Sequence, residues 1–569
     1  MTLSVLSRCS RSLTGVLLLS IALVSLLPGC TGHTQGQAAI ASAHPLATAA
    51  GMEILKAGGN AFDAAVAVSA ALAVVEPYSS GLGGGGFWLL HRAADDFETM
   101  VDGRERAPLA ATRDMYLDAE GEVVPGLSIN GPLAAAIPGE PAALVHIAEK
   151  YGRLPLQRTL APAIRLARDG FKVDPYYNRL AGFRLATLQA DAETARLFLQ
   201  DGAVPASGYR VVQPELAATL EALAERGRDG FYAGRVAEQL VDGVRKAGGI
   251  WTLDDLTQYA VIERKPVSGT YQGLRVVSAA PPSSGGVVLV TMLNILAGYP
   301  LEDMDEGTRT HVIIEAMRRA YRDRAEFLGD PDFVEVPVAR LTDSGYAARL
   351  RASIRLDRAT QSVALPPVDP PGEGMDTTHF SILDGEGNRV AATMSINYLF
   401  GAGVTPPGTG VLLNDEMDDF SAKPGVPNVY GLVGAEANSI APGKRPLSSM
   451  SPTFVESRDG VAILGTPGGS RIITMVLLAT LDIAAGRPLK SWISAPRFHH
   501  QYLPDVVQYE PEAFSAALVE SLQARGHRLQ PLDSVYGNMQ AVYRNRITGR
   551  VSAASDPRGL GLAEVASTD

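Results

Sequence analysis

Cysteine is almost missing from this chain: of 569 residues only Cys9 and Cys30 carry a thiol, both within the first thirty. The body therefore holds no thiol nucleophile, no internal disulfide and no cysteine-ligated zinc. Positive charge is in short supply too. A net charge of −11 argues against a nucleic-acid partner, because neutralising phosphates takes a basic surface. Long apolar runs are lacking beyond residues 13–27, a stretch too short for a comfortable transmembrane helix. With 46% hydrophobic and 20% charged residues the composition is that of a globular protein, which excludes a disordered or multi-span membrane chain. The length suits either two or more ordinary domains or one large layered α/β unit.

The first thirty residues read as a targeting segment. Arg8 and Arg11 precede the apolar run, which ends in Leu27-Pro28-Gly29-Cys30. That ending resembles the lipobox of bacterial lipoprotein precursors. It implies export to the periplasm or the envelope, with Cys30 as the lipidated first residue of the mature protein and a lipid anchor to a membrane. An ordinary cleaved signal peptide, with Cys30 incidental, is the other reading.

Beyond the leader, Pro45–Lys56 reads as a helix stopped by Gly58-Gly59, and Asn60 caps a second, Ala- and Val-rich core helix through Val75. Short strands are expected at residues 87–91 and 99–102. Helical patterns then dominate to residue 249, with Pro214–Arg226 and Gly234–Lys246 among them. Pro281 to Gly286 opens another apolar helix, and residues 311–327 form an amphipathic one. From Thr377 the pattern turns to strands and long loops. Helices flanking sheet segments indicate a layered α/β protein.

A Pro/Gly-rich stretch, residues 365–374, runs directly into Asp376-Thr377-Thr378-His379-Phe380. A chain cut at such a junction would expose a threonine that brings its own base. The new α-amino group has a pKa of roughly 7.7–8.0 and sits on the same residue as the nucleophilic hydroxyl. A linker entering a Thr-rich strand gives the same letters. Residues 377–383 and 389–396 flank the turn-forming cluster Asp384 to Asn388, so a hairpin is expected. If the turn is symmetric about Glu386, Thr377 faces Ser395 and His379 faces Thr393. Thr377, Thr393, Ser395 and Asn397 then share one polar face.

Other polar clusters are weak singly. Gly81-Leu82-Gly83-Gly84-Gly85-Gly86 fits a dinucleotide fingerprint in letters, but a helix precedes it and a strand follows, the reverse of what that fingerprint needs. Close backbone packing is the better reading. Asn414-Asp415-Glu416-Met417-Asp418-Asp419 concentrates carboxylates suited to glycoside hydrolysis, to a substrate ammonium, or to plain solvation. Calcium-loop spacing is absent, so no metal is expected there. Gly468 and Gly469 can aim two amides at an oxyanion or merely turn the chain. Arg104 can grip a carboxylate bidentately or form a salt bridge. His499-His500 reads as structural packing.

Taken in order, these stretches resemble the γ-glutamyltranspeptidases, members of the N-terminal nucleophile hydrolases. The resemblance runs from about Ala38 to the C-terminal end. It rests on residues 54–61, 82–87 and 281–286, and most strongly on Met417-Asp418-Asp419-Phe420-Ser421, Asn428-Val429-Tyr430-Gly431 and Lys444 through Thr453. Pro467-Gly468-Gly469-Ser470-Arg471 and residues 495–500 complete it. It implies an α/β fold, the four-layer αββα sandwich, formed jointly by large and small subunits (31–376 and 377–569) from one precursor that cuts itself between Asp376 and Thr377. It also implies roles. Thr377 is the nucleophile, with Ser395 beside it. Arg104, Ser448 and Ser449 hold the glutamyl α-carboxylate, while Asn397, Glu416 and Asp419 hold the α-ammonium. Gly468 and Gly469 give the oxyanion amides, and Tyr430 is a lid over the pocket. Expected substrates are glutathione and other γ-glutamyl compounds, with water, amino acids or dipeptides as acceptors; no cofactor or metal is implied. Ser395 stands where some members have threonine, and Glu416 where some bacterial members have glutamine, which strengthens the ammonium grip. A related acylase of the cephalosporin or glutaryl type, and a non-enzymatic envelope lipoprotein that binds small peptides, are the competing readings.

Overall fold

The structure, a computed structural model, describes residues 36–362 and 377–567. Cys30, Asp376 and the Pro/Gly-rich stretch lie outside the described residues. The fold is built on two stacked sheets. The first has seven strands in the order Leu562–Ser567, Gln37–Ser42, Thr377–Leu383, Arg389–Ser395, Gly85–Arg92, Phe97–Gly103 and Ile262–Arg264. The second has six: Val551–Ser555, Gln540–Asn545, Gly460–Gly465, Thr453–Glu456, Leu274–Ser278 and Val267–Tyr271. Thr377 thus starts a strand at the centre of the first sheet, paired on both sides.

Period-two alternation sorts side chains between the two faces of that sheet. Phe380, Ile382, Val390, Met394 and Trp88 turn outward and pack with the helix Ala61–Val75 in one core. Leu383, Ala391, Phe87 and Leu89 turn inward, against Phe454 and Ile463 of the second sheet. Beyond the second sheet the helices Gly285–Leu296 and Ile472–Ala484 join the same inner core. The layers are helix, sheet, sheet, helix, the expected αββα sandwich.

The sequence explains why the outer helix forms where it does. Asn60 Oδ1 accepts from the amides of Phe62 and Asp63 at 2.9 and 3.0 Å, and the Asp63 carboxylate accepts from the Asn60 amide at 2.9 Å. This reciprocal cap satisfies the first-turn donors. All fifteen residues of the helix are buried. The amphipathic helix runs Glu306–Phe327, five residues longer at its start than the sequence pattern suggested, because Asp305 caps it through the Thr308 amide at 2.9 Å. Among the described residues no helix is long and apolar enough to cross a membrane.

The glycine run at 81–86 is a packing device, as read from its context. A Cβ on Gly83 would sit 2.0 Å from the Leu412 carbonyl oxygen, and one on Gly84 would sit 2.1 Å from that of Ser395. Only glycine lets this backbone press against the end of the Ser395 strand.

Candidate active site

The hairpin that begins at Thr377 has the register its symmetric turn dictates: Thr377 pairs with Ser395 and His379 with Thr393. The Thr377 and Ser395 hydroxyls are 3.3 Å apart, and both residues are buried. Ser395 Oγ also accepts from the Asn397 amide at 2.8 Å. Asn397 has φ 68°, a left-handed conformation that asparagine tolerates better than most side chains. Its Nδ2 donates to the Asp415 carbonyl at 3.0 Å, tying the strand end to the acidic loop. His379 faces Thr393 at 2.8 Å rather than Thr377, and burial lowers its pKa to about 3, which makes it a poor base.

Thr377, Ser395, Asn397, Glu416, Asp419, Tyr430, Ser448, Ser449 and Gly469 all line one narrow cleft. Its free space of about 20 Å³ holds roughly one water. A roomier groove of about 280 Å³ lies elsewhere, walled by Met475, Trp492 and Phe514, and contains none of the site residues named from sequence. Residues brought together from positions hundreds apart, with a hydroxyl nucleophile at one end, mark the narrow cleft as the site.

Arg104 sits behind the cleft, fully buried, and is paired directly with two of its acidic residues. One terminal nitrogen bonds Glu416, the other donates to Asp419 at 2.5 Å, and Nε donates to the Pro446 carbonyl at 3.1 Å. Burial works against its charge, but Glu416, Asp419 and Glu105 outweigh that and raise its pKa. Asp419 is held from its other side by Asn428 Nδ2 at 3.1 Å. Burial raises the Glu416 carboxyl to about 7 against the pull of Arg104, and Asp419 and Asp418 add to the rise.

Ser448 Oγ accepts from the Met450 amide at 3.1 Å, and Ser449 Oγ accepts from Arg324 at 3.1 Å. Each hydroxyl has a lone pair engaged by a donor, which leaves its O–H to donate towards an anion in the cleft. Gly468 and Gly469 have φ 139° and 54° and form the turn into the helix Ile472–Ala484; Gly469 lines the cleft, and Gly468 is not among its lining residues. The Tyr430 ring packs on Gly469, where an added Cβ would meet it at 2.6 Å, and its hydroxyl donates to the Asn397 carbonyl at 2.9 Å.

Two contributors escaped the sequence reading. Tyr321 donates to the Ser470 carbonyl beside the glycine turn, and Arg324 holds Ser449. They stand three positions apart on one helix, so they share a face. Only that spacing in an amphipathic helix hinted at them. His499 and His500 are packing residues as expected: His499 bonds Thr474 at 2.9 Å and Gln501 at 2.8 Å, and His500 bonds Asp505 at 3.2 Å. His311, Glu315 and His527 cluster closely, but Glu315 is taken up by Arg318, Arg319 and Thr360.

The model of the family described as gamma-glutamyltranspeptidase matches residues 47–566. The chain belongs to that family. It is 45% identical over 542 residues to a glutathione hydrolase proenzyme of Pseudomonas sp. (strain A14), covering 92% of this chain and 93% of that one. It is 44% identical over 531 residues to the glutathione hydrolase proenzyme of Escherichia coli (strain K12), covering 92% and 91%. Among solved structures, the cephalosporin acylase from Bacillus halodurans superposes with a TM-score of 0.82 at 30% identity, covering 93% of this chain and 96% of that one. Fold and family thus agree with the resemblance read from the motifs.

Proposed function

We propose that this chain is made as a precursor that cuts itself before Thr377, and that the product is a γ-glutamyltransferase and glutathione hydrolase. The observation that supports this most is the cleft's composition: a nucleophilic hydroxyl, two carboxylates and two donor hydroxyls line it, with the Arg104 guanidinium directly behind the carboxylates. A γ-glutamyl group is zwitterionic at its far end and needs a clamp for each charge.

In the precursor, Thr377 Oγ1 attacks the carbonyl carbon of Asp376. The peptide bond to the Thr377 nitrogen breaks, that nitrogen takes up the proton, and water hydrolyses the resulting ester to a free Asp376 carboxylate and a Thr377 amine. In turnover, the amine accepts the hydroxyl proton as Oγ1 attacks the γ-carbonyl. The Gly468 and Gly469 amides hold the oxyanion, and the leaving amine departs with the proton. Water or an acceptor amine then attacks the γ-glutamyl ester and regenerates Thr377. Ser395, 3.3 Å away, orients the Thr377 hydroxyl. Clamping the far end of the substrate makes the attack near-unimolecular.

Glutathione is the first donor to test, since the Pseudomonas and Escherichia relatives carry that name. The leader sequence supports an exported enzyme, with Cys30 as its lipid attachment. The fold match to an acylase supports a second reading, a glutaryl-type acylase, but such an acyl group gives Glu416 and Asp419 no ammonium to hold. Release of p-nitroaniline from γ-glutamyl-p-nitroanilide by the wild type, and its loss in Thr377→Ala, tests the proposal. An enzyme that cleaves glutaryl-p-nitroanilide better than the γ-glutamyl compound contradicts it.

A further inference from the structure

Among the described residues Arg324 is a buried cation without an acidic partner. Its Nε donates to Ser284 Oγ at 3.0 Å and a terminal nitrogen donates to Ser449 Oγ at 3.1 Å; both acceptors are neutral hydroxyls. The residue is 5% exposed, and among the described residues no carboxylate lies within ion-pair distance of it. Leaving a guanidinium buried and unpaired is costly, so some other group is expected to answer its charge. Arg104 repels it and Asp419 attracts it, so it sits inside the electrostatic field of the cleft.

Of the two hydroxyls that Arg324 holds, that of Ser449 lines the cleft. It touches Ser449 directly and reaches Ser448 through Ser284, whose Oγ donates to the Ser448 carbonyl at 2.7 Å. Occupying the Ser449 lone pair from behind leaves that O–H to point forward. Arg104, by contrast, already has three carboxylate partners, Glu105, Glu416 and Asp419. Arg324 thus adds a second cation beside a cleft lined by the acidic side chains Glu416 and Asp419.

We propose that Arg324 is a positioning residue for the substrate's α-carboxylate: it fixes the Ser449 hydroxyl as a donor, braces the Ser448 backbone through Ser284, and supplies a second positive charge beside them. This rests on the γ-glutamyl reading above. Its signature is selectivity for one substrate charge, which a purely structural role does not give.

The test compares three anilides on the mature enzyme: γ-glutamyl-p-nitroanilide, glutaryl-p-nitroanilide, which lacks the ammonium, and 4-aminobutanoyl-p-nitroanilide, which lacks the carboxylate. Arg324→Gln is expected to raise KM about tenfold or more for the two carboxylate-bearing substrates, with kcat nearly unchanged. For the 4-aminobutanoyl compound kcat/KM stays within about twofold of wild type. Equal losses on all three substrates, or none, overturn the proposal. If Arg324→Gln leaves the precursor uncut, Ser284→Ala carries the test with the same selectivity at smaller size, and a uniform or absent effect again overturns it. A wild type that ignores the γ-glutamyl anilide is a separate result, since it removes the functional reading itself.

Discussion

Arg104 donates to Asp419 at 2.5 Å, so the cation and one of the anions that a γ-glutamyl group needs are bonded to each other. On the proposed roles the substrate exchanges with this pair: its carboxylate takes a share of Arg104 while its ammonium takes a share of Asp419 and Glu416. Arg104→Gln leaves the buried Glu105 and Glu416 and the partly buried Asp419 without their counter-ion and removes a charged hydrogen bond worth about 1.5–3 kcal/mol. The expected result is a fall in kcat/KM of about 10- to 150-fold for γ-glutamyl-p-nitroanilide, seen chiefly in KM.

Ser395 gives a second prediction. Its hydroxyl bridges the Thr377 hydroxyl and the Asn397 amide, so Ser395→Ala removes the group that orients the nucleophile and leaves that amide unpaired. Both self-cleavage and turnover slow, kcat by about 10-fold or more. Ser395→Thr keeps the oxygen and stays near wild-type rates. Band intensities over time on a denaturing gel and steady-state kinetics check both.

Acid weakens substrate binding through Glu416. Its carboxyl is raised by burial from 4.5 to about 7, and the ionised form is the one that holds an ammonium. KM for γ-glutamyl-p-nitroanilide therefore rises as pH falls through about 7 and levels off near the Glu416→Gln value once the carboxyl is protonated. Glu416→Gln flattens that dependence at a higher baseline KM. Folding responds in the opposite sense. The protonated carboxyl is favoured in the folded state, so its contribution to stability is present in full below pH 4.5 and is lost as pH rises through about 7.

Gly469→Ala is predicted to damage the site at two levels. At φ 54° a side chain costs about 1–2 kcal/mol, and its Cβ would lie 2.6 Å from the Tyr430 ring. The ring must move, taking with it the hydrogen bond to the Asn397 carbonyl. Thermal unfolding should show a modest loss, while kcat falls by about tenfold or more. Trimming Tyr430 to Leu in the same chain relieves the clash and recovers part of the folding loss but not the lid contact.

Legibility from sequence followed the range of the interactions. The hairpin could be read to single-residue register because its turn is local and symmetric, and so could the Asn60 cap, where both partners are three positions apart. The family motifs named the cleft residues, and the structure gathers nearly all of them around Thr377. What the chain of letters could not give was who partners whom. Arg104 could be a clamp, with a surface salt bridge the commoner fate of such an arginine, and it is a buried ion pair that closes over more than three hundred positions. Arg324 and Tyr321 sat unnoticed inside an ordinary amphipathic helix, because their importance lies in the loops they reach. The glycine run misled only in its letters, since a helix before it and a strand after it excluded a phosphate cradle.

The most direct measurement is N-terminal sequencing of the smaller band when purified protein is run on a denaturing gel. The account predicts two bands, the smaller beginning Thr-Thr-His-Phe-Ser at Thr377, and a single uncut band for Thr377→Ala. A wild-type chain that stays whole while hydrolysing γ-glutamyl-p-nitroanilide, or a smaller band that begins at another residue, would contradict it.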